Sequence, residues 1–214
     1  GMNGIIQELT GLLKTKNIGT DSDRALLLDF QATLETKPEK AIKLEKDALA
    51  QIENITADNA RLVSNLHANL GGLYRMNGHP DLAREHMEKS ISLLDQFNLL
   101  HINDSIPQIA NYAMFLTEQQ EPERGISELQ KLSGIIKEYH SDDCLDYAKV
   151  QETLGTIYLM TANLPQAKTH FKRAFKIYEK IWADEPEMIE AKYQEIQELY
   201  RFCIGKNLSG LLTK

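Results

Sequence analysis

The sequence predicts an all-α protein, a right-handed α-solenoid of antiparallel helix pairs with about four like units and a capping helix at each end. The first observation is a repeat: Ala41, Ala83, Gly125 and Ala167 each lie 42 residues after the one before. The second is that apolar residues recur at three- and four-residue spacing, and no β-branched run alternates with polar residues. A fixed period of this length indicates stacked units that bury their apolar faces against their neighbours.

Proline-containing turns fall at one phase of the 42-residue frame. They are Lys37-Pro38, the segment 77–80, Glu121-Pro122 and the segment 163–165. Proline is tolerated in the first turn of a helix, because the amide it lacks would have no intrahelical partner there. These turns are therefore predicted to join the two helices of each pair.

Longer polar segments separate one pair from the next, and each offers Asp or Ser as a cap for the helix that follows. They place the helix pairs at 22–53, 59–98, 104–139 and 146–182. A lone amphipathic helix is predicted before them at 4–16, and a capping helix after them at 186–205. The whole chain, residues 1–214, is predicted to form a single domain.

The repeated pattern resembles the tetratricopeptide repeat, and copies two and four carry it best. Copy two has Leu70-Gly71-x-x-Tyr74 followed by Ala83, and copy four has Leu154-Gly155-x-x-Tyr158 followed by Ala167. Small residues such as Gly155 predict a close approach of the paired helices. The 42-residue version is similar to the repeats of kinesin light chains and of bacterial regulators with comparable arrays. The resemblance implies a non-catalytic module that binds a peptide or a partner protein segment in its concave groove.

The resemblance also implies which residues line that groove. In this family an Asn one residue before the signature Leu often grips the ligand backbone, and Asn69 and Asn111 match it. An amide side chain both donates and accepts hydrogen bonds, which suits recognition of a peptide backbone. Thr153 and Glu195 take that phase in later copies, so the series is incomplete. The remaining groove residues implied on the same stripe are Asn65, Arg75, Met114, Lys149 and Glu152.

Composition disfavours several other functions. A net charge of −7 argues against a broad nucleic-acid surface, which needs a basic face. No apolar run approaches the ~20 residues that span a bilayer, so no membrane partner is expected. Two cysteines, Cys144 and Cys203, suit reduced thiols in a cytoplasmic protein rather than a disulfide.

Motifs for chemistry are weak. The segment 140–144 groups His, Asp and Cys side chains, but a zinc site needs four converging ligands, so a helix-capping loop is the expectation. No phosphate-binding loop is present. We therefore expect no metal, cofactor or catalytic residue. An enzymatic interpretation built on Lys149, Glu152 and Glu195 is disfavoured, because paired carboxylates on a charged surface are usually solvated.

Two further possibilities stay open. The chain is alternatively the sensor part of a larger bacterial regulator or ATPase, because its leading apolar stripe could continue an upstream helix. That stripe comprises Ile5, Ile6, Leu9, Leu12 and Leu13. The chain is also a possible homodimer through an apolar end face that contains Phe202, Leu208, Leu211 and Leu212.

Overall fold

A computed structural model describes residues 19–102 and 105–204, together with Gly4, Glu8 and Gly11. Across these residues the regular structure is helical, and no strand is present. The helices are α1 (Asp21–Leu34), α2 (Pro38–Leu49), α3 (Ala60–Met76), α4 (Pro80–Gln96), α5 (Ser105–Glu118), α6 (Pro122–Tyr139), α7 (Leu145–Met160), α8 (Leu164–Ile181) and α9 (Pro186–Ile204). Apart from Gly4, Glu8 and Gly11, the predicted helix at 4–16 lies outside the described residues, as do the three leucines of the proposed end face.

The observed helices confirm the predicted all-α helical-repeat fold. Each predicted pair corresponds to two consecutive helices, and α9 occupies the place of the capping helix. The largest difference is in the first pair, where α2 ends at Leu49 and turns follow, whereas the prediction extended to residue 53.

Proline and polar side chains start several of these helices as the sequence suggested, although the start of α3 at Asn59 has no side-chain cap. The second helix of every pair has proline in its first two positions. Thr20 and Asp23 form a reciprocal capping box at the start of α1. At the start of α7, however, the cap is the Cys144 sulfur, which accepts a hydrogen bond from the Tyr147 amide at 3.4 Å. The Asp and Ser side chains that precede Cys144 were expected to cap this helix and do not.

The chain divides into two compact units, residues 1–100 and 101–214. In the first unit, α1 packs against α2 and α3 packs against α4. Helix α3 also contacts α1 and α2. The first helices of the two pairs, α1 and α3, are therefore neighbours. The prediction of a single domain stays a prediction.

The second unit repeats this arrangement and adds the cap. Helix α5 packs against α6 and α7 packs against α8, while α7 also contacts α5 and α6. Helix α9 contacts α7 and α8 and buries Ile196 and Tyr200. Helices α5, α7 and α9 therefore lie side by side as the first helices of successive repeats.

Small residues of the 42-residue period sit at tight contacts between paired helices. A Cβ atom on Gly125 would lie 2.6 Å from the backbone oxygen of Ala113 on α5. A Cβ atom on Gly155 would lie 2.8 Å from the ring of Phe171 on α8. Ala167 is buried beside this contact. The period therefore reflects packing, because larger side chains at Gly125 or Gly155 would force the two helices of a pair apart.

Candidate functional site

The predicted groove residues lie on the first helices of the repeats. In the first unit, α3 carries Asn65, Asn69 and Arg75. In the second unit, α5 carries Asn111 and Met114, and the adjacent α7 carries Lys149 and Glu152. We call the first surface, together with the adjoining part of α1, the α1–α3 face, and the second the α5–α7 face. Each face is described within its own unit.

Asn69 on the α1–α3 face is exposed but already bonded within the protein. Its Nδ2 donates to Asp29 Oδ1 at 2.8 Å and to Glu45 Oε1 at 3.2 Å. Both amide hydrogens are therefore used, which leaves Oδ1 as the group that a ligand could contact. Asn65 and Arg75 are half-buried and interact with neighbouring residues. Whether these three side chains bind a ligand stays a prediction.

Glu45 lies beneath Asn69 and is the most unusual carboxyl group of the first unit. It is only 2% exposed, and no described residue bonds its Oε2. Burial, the charge of Asp29 and a hydrogen bond with Asp29 raise the pKa of Glu45 to about 9, against a smaller opposing effect of Asn69. Glu45 is therefore protonated at neutral pH. The sequence analysis did not single out Glu45, although its place between Ala41 and Ala48 on the buried side of α2 was a detectable signal.

Asn111 on the α5–α7 face differs from Asn69. Its side chain is exposed and has no hydrogen-bond partner in the described parts of the chain. Pro107 is exposed one turn earlier, and Met114 is half-buried one turn later. The neighbouring Tyr112 is buried and anchors the helix. Helix α5 therefore presents a strip whose central amide has both its donors and its acceptor available.

Glu152 belongs to an ion cluster that joins three helices of the second unit. It accepts hydrogen bonds from Tyr178 Oη at 2.5 Å and from Lys192 Nζ at 3.1 Å. Lys192 also donates to Glu195 at 2.6 Å. Although burial lowers the pKa of Lys192, its bonds and charge interactions with Glu195 and Glu152 raise that pKa overall. Burial, followed by the charge of Glu152, raises the pKa of Tyr178.

This cluster bears on the disfavoured enzymatic interpretation. Lys192, which the sequence analysis missed, lies between Glu152 and Glu195 and forms an ion pair with each. Lys149 instead pairs with Asp146 at 3.7 Å, at an exposed position. The two carboxylates are therefore ion-paired partners of one lysine.

Histidine and tyrosine stack in the same way in both units. Tyr74 stacks on His86 with ring centroids 5.4 Å apart, and His86 Nδ1 lies 2.9 Å from His67 Nδ1. Tyr158 stacks on His170 at 5.3 Å, and His170 Nδ1 lies 2.9 Å from Gln151. Burial lowers the pKa values of His86 and His170, and that of His67 to about 4. These histidines are therefore packing residues in a repeated arrangement.

Other features of the structure are weaker candidates for a functional site. A cavity of about 420 Å³ lies between α6 and the end of α7, lined by Glu123, Gln130, Tyr158 and Asn163 among others, and it includes no predicted groove residue. Within the described residues, no group of three or more His, Cys, Asp or Glu side chains is placed to hold a metal ion. Cys144 and Cys203 are free thiols. No helix of the described residues has the length and apolar character needed to cross a bilayer.

Comparison with known proteins defines the class and then the family. Among solved structures, the fold is similar to BtubC (BKLC) from P. vanneervenii, with a TM-score of 0.71, 18% identity, and coverage of 92% of this chain and 79% of that one. It is also similar to a protein of Podosopora anserina described as a kinesin light chain with nearly identical TPR-like repeats (TM-score 0.64, 15% identity, coverage 84% and 90%). MamA is a third similar structure (TM-score 0.56, 15% identity, coverage 83% and 89%). These likenesses show a helical-repeat fold.

The family follows from the sequence itself. Residues 105–180 match the family model of the tetratricopeptide repeat. No curated protein sequence matches the chain. Residues 105–180 are therefore identified as tetratricopeptide repeats, which supports the resemblance seen in the sequence. Such repeats generally serve protein–protein interaction, and proteins built from them are typically non-catalytic scaffolds with protein partners.

Proposed function

We propose that this chain is a non-catalytic interaction module that holds a segment of a partner protein on the exposed faces of its first helices. The observation that carries the proposal is Asn111, an exposed amide without a partner among the described residues. It lies inside the region that matches the tetratricopeptide-repeat model. Extended peptides that dock on a protein surface use main-chain hydrogen bonds, which an available side-chain amide can form.

The chemistry of the α5–α7 face supports an adaptable peptide contact. Asn111 can bond the amide and the carbonyl of a peptide backbone at once. Met114 offers a flexible, polarisable side chain that adjusts to different apolar partners. Lys149 forms only an exposed ion pair with Asp146, which a ligand carboxylate could replace at little cost. The three groups together suit a segment whose sequence is only loosely specified.

The proposal includes no cofactor, no metal and no nucleic acid, and it places the protein in the cytoplasm. The net charge of −7 supports the exclusion of nucleic acid. The pairing of Glu152 and Glu195 with Lys192 supports the absence of acid–base catalysis. The alternative function, a sensor part of a larger regulator, stays a prediction, because no described residue favours it.

Self-association through an end face is a second proposal, and Phe202 favours it. This residue is 89% exposed on α9, which is unusual for a phenylalanine. Light scattering at micromolar concentration should give a mass above the 24.3 kDa of one chain. The variant Phe202→Ser should instead scatter with the mass of a single chain. A wild-type protein that scatters as a monomer would contradict the proposal.

Replacing Asn111 by Ala is expected to weaken peptide binding without affecting the fold. Peptides would first be selected from a random library on the wild-type chain, and their Kd values then measured by calorimetry. One lost hydrogen bond corresponds to about 0.5–1.5 kcal/mol, so the Kd should rise roughly two- to twelvefold. The melting temperature should stay the same, because Asn111 bonds no other described residue.

Gln166→Ala is the matched control for this experiment. Gln166 is an exposed amide of the same unit, but it lies on the second helix α8. Its replacement should leave the Kd unchanged. If Gln166→Ala weakened binding as much as Asn111→Ala, the ligand would lie elsewhere. Asn69→Ala, in contrast, should lower the stability of the first unit, since Asp29 and Glu45 would lose a donor.

A further inference from the structure

Three helices of the first unit bring polar side chains together in what we call the acidic cluster: Asp29 on α1, Glu45 on α2 and Asn69 on α3. The Asn69 amide bridges the two acids, with its Nδ2 at 2.8 Å from Asp29 and at 3.2 Å from Glu45. Each residue comes from a different helix, so the arrangement is a product of the packing of the first two pairs. It lies on the α1–α3 face, where Asn69 is exposed and Asp29 is half-buried.

The cluster has more acceptors than donors. Glu45 is only 2% exposed, and its buried Oε2 has no hydrogen-bond partner among the described residues. Asp29 uses Oδ1 for Asn69, and no lysine or arginine in the described segments forms an ion pair with Asp29 or Glu45. Buried polar groups in folded proteins are nearly always paired, so an unpaired buried carboxyl oxygen calls for an explanation.

A cationic side chain has the chemistry that this cluster lacks. Guanidinium carries five N–H donors in a planar fork, and ammonium carries three, with no acceptor in either. The groups still available are the second oxygen of Asp29, Asn69 Oδ1 at the surface and Glu45 Oε2 below them. An anionic ligand group would be repelled by Asp29. The overall charge of −7 would further attract a basic segment.

We infer that the acidic cluster binds a positively charged side chain, arginine above all, of the partner segment. This inference rests on the proposed function and specifies the partner as a segment with a basic residue. The Asp29 carboxylate would supply the charge and Asn69 Oδ1 would accept a second hydrogen bond from the planar fork. Glu45 would hold Asn69 in place and accept a further bond if the fork reaches Oε2.

The test uses two short Gly-Ser peptides, acetylated and amidated, that differ only in a central arginine or its neutral isostere citrulline. The side-chain amide signals of Asn69 would be followed by NMR as each peptide is titrated. The arginine peptide should shift these signals saturably, and the citrulline peptide should not. Asp29→Asn should raise the Kd of the arginine peptide at least about tenfold, because charge-assisted hydrogen bonds are lost.

Asp47→Asn is the matched control, because Asp47 is an exposed carboxylate on α2 outside the cluster. It removes the same charge and should leave binding unchanged. Equal shifts with both peptides, or equal binding by Asp29→Asn and Asp47→Asn, would overturn the inference. The comparison of the two peptides uses the wild-type chain alone, so it remains decisive even if Asp29→Asn does not fold.

The outcome also separates this inference from the function on which it rests. If library peptides bind the chain and depend on Asn111, but show no requirement for a basic residue, the cationic site is wrong and the interaction module stands. If no library peptide binds, while the arginine peptide still shifts Asn69, the interaction module is wrong and a cation site remains.

Discussion

Replacing Gly125 by Ala is expected to destabilise the second unit by roughly 1–3 kcal/mol, the usual cost of overpacking. The added Cβ would lie 2.6 Å from the backbone oxygen of Ala113 and 3.1 Å from its Cα. These are backbone atoms of α5, and no side-chain rotation can move them away. Helices α5 and α6 would therefore have to separate along their contact.

Gly134→Ala on the same helix is the control, and it should change the stability in the opposite direction. A Cβ atom at this position meets nothing within 4 Å. Alanine should therefore stabilise α6 by up to about 1 kcal/mol through its higher helix propensity. Urea unfolding would measure both changes, and hydrogen exchange should place the loss from Gly125→Ala in α5 and α6. Similar effects of the two substitutions would show that α5 and α6 do not meet at Gly125.

The stability of the first unit is expected to fall as the pH rises from about 4.5 to about 9, because of Glu45. Its pKa is raised from 4.5 to about 9 in the folded state, so folded Glu45 holds its proton in a range where the unfolded chain releases it. The stabilisation is complete below pH 4.5 and is lost as the pH approaches 9. The total loss is on the order of a few kcal/mol. Glu45→Gln, which keeps the shape and cannot ionise, should remove this slope.

His67 is expected to produce the opposite slope at acidic pH. Its pKa is lowered from 6.5 to about 4 by burial, followed by the charges of His86 and Lys89. The folded state then binds fewer protons than the unfolded state, so stability is complete above pH 6.5 and is lost as the pH falls toward 4. His67→Gln should reduce this slope and leave the part that comes from His86, whose pKa burial also lowers. Glutamine fits this position, because Gln151 takes the corresponding place in the second unit and bonds His170 at 2.9 Å.

Urea unfolding at a series of pH values would test both slopes, with NMR signals of α1–α4 as the readout for the first unit. In a plot of the free energy of unfolding against pH, Glu45→Gln should reduce the slope on the alkaline side alone. His67→Gln should reduce the slope on the acidic side alone. Glu39→Gln, on the exposed start of α2, serves as the control with no expected change. An alkaline slope that survives in Glu45→Gln would mean that Glu45 does not cause it.

The helix pairs could be predicted because their signals are local. Apolar spacing identifies a helix from its own residues, and prolines such as Pro80 and Pro122 mark where the second helices begin. The cap of α7 was not predictable in the same way. Cys144 takes a role that Ser, Thr, Asp or Asn usually plays, so sequence preferences pointed to its neighbours.

The site was only partly predictable, because its bonds join residues that are distant in sequence. The resemblance indicated which helix positions carry Asn69 and Asn111, but nothing near them shows that only Asn69 is already bonded. Its partner Asp29 lies 40 residues earlier, and Lys192 likewise lies 40 residues after Glu152. Such pairs depend on how one repeat packs against the next, which a pattern within one repeat does not specify.

The stacked tyrosine and histidine have a consequence for the ancestry of the chain. Tyr74 and Tyr158 are 84 residues apart, as are His86 and His170, and 84 is two periods rather than one. The intervening copy has leucine and glutamate at these positions, and the first copy has alanine and leucine. Copies two and four thus share both residues, whereas copies one and three share neither with them nor with each other. In terms of descent, the stacked pair is a trait of copies two and four rather than of the repeat as such.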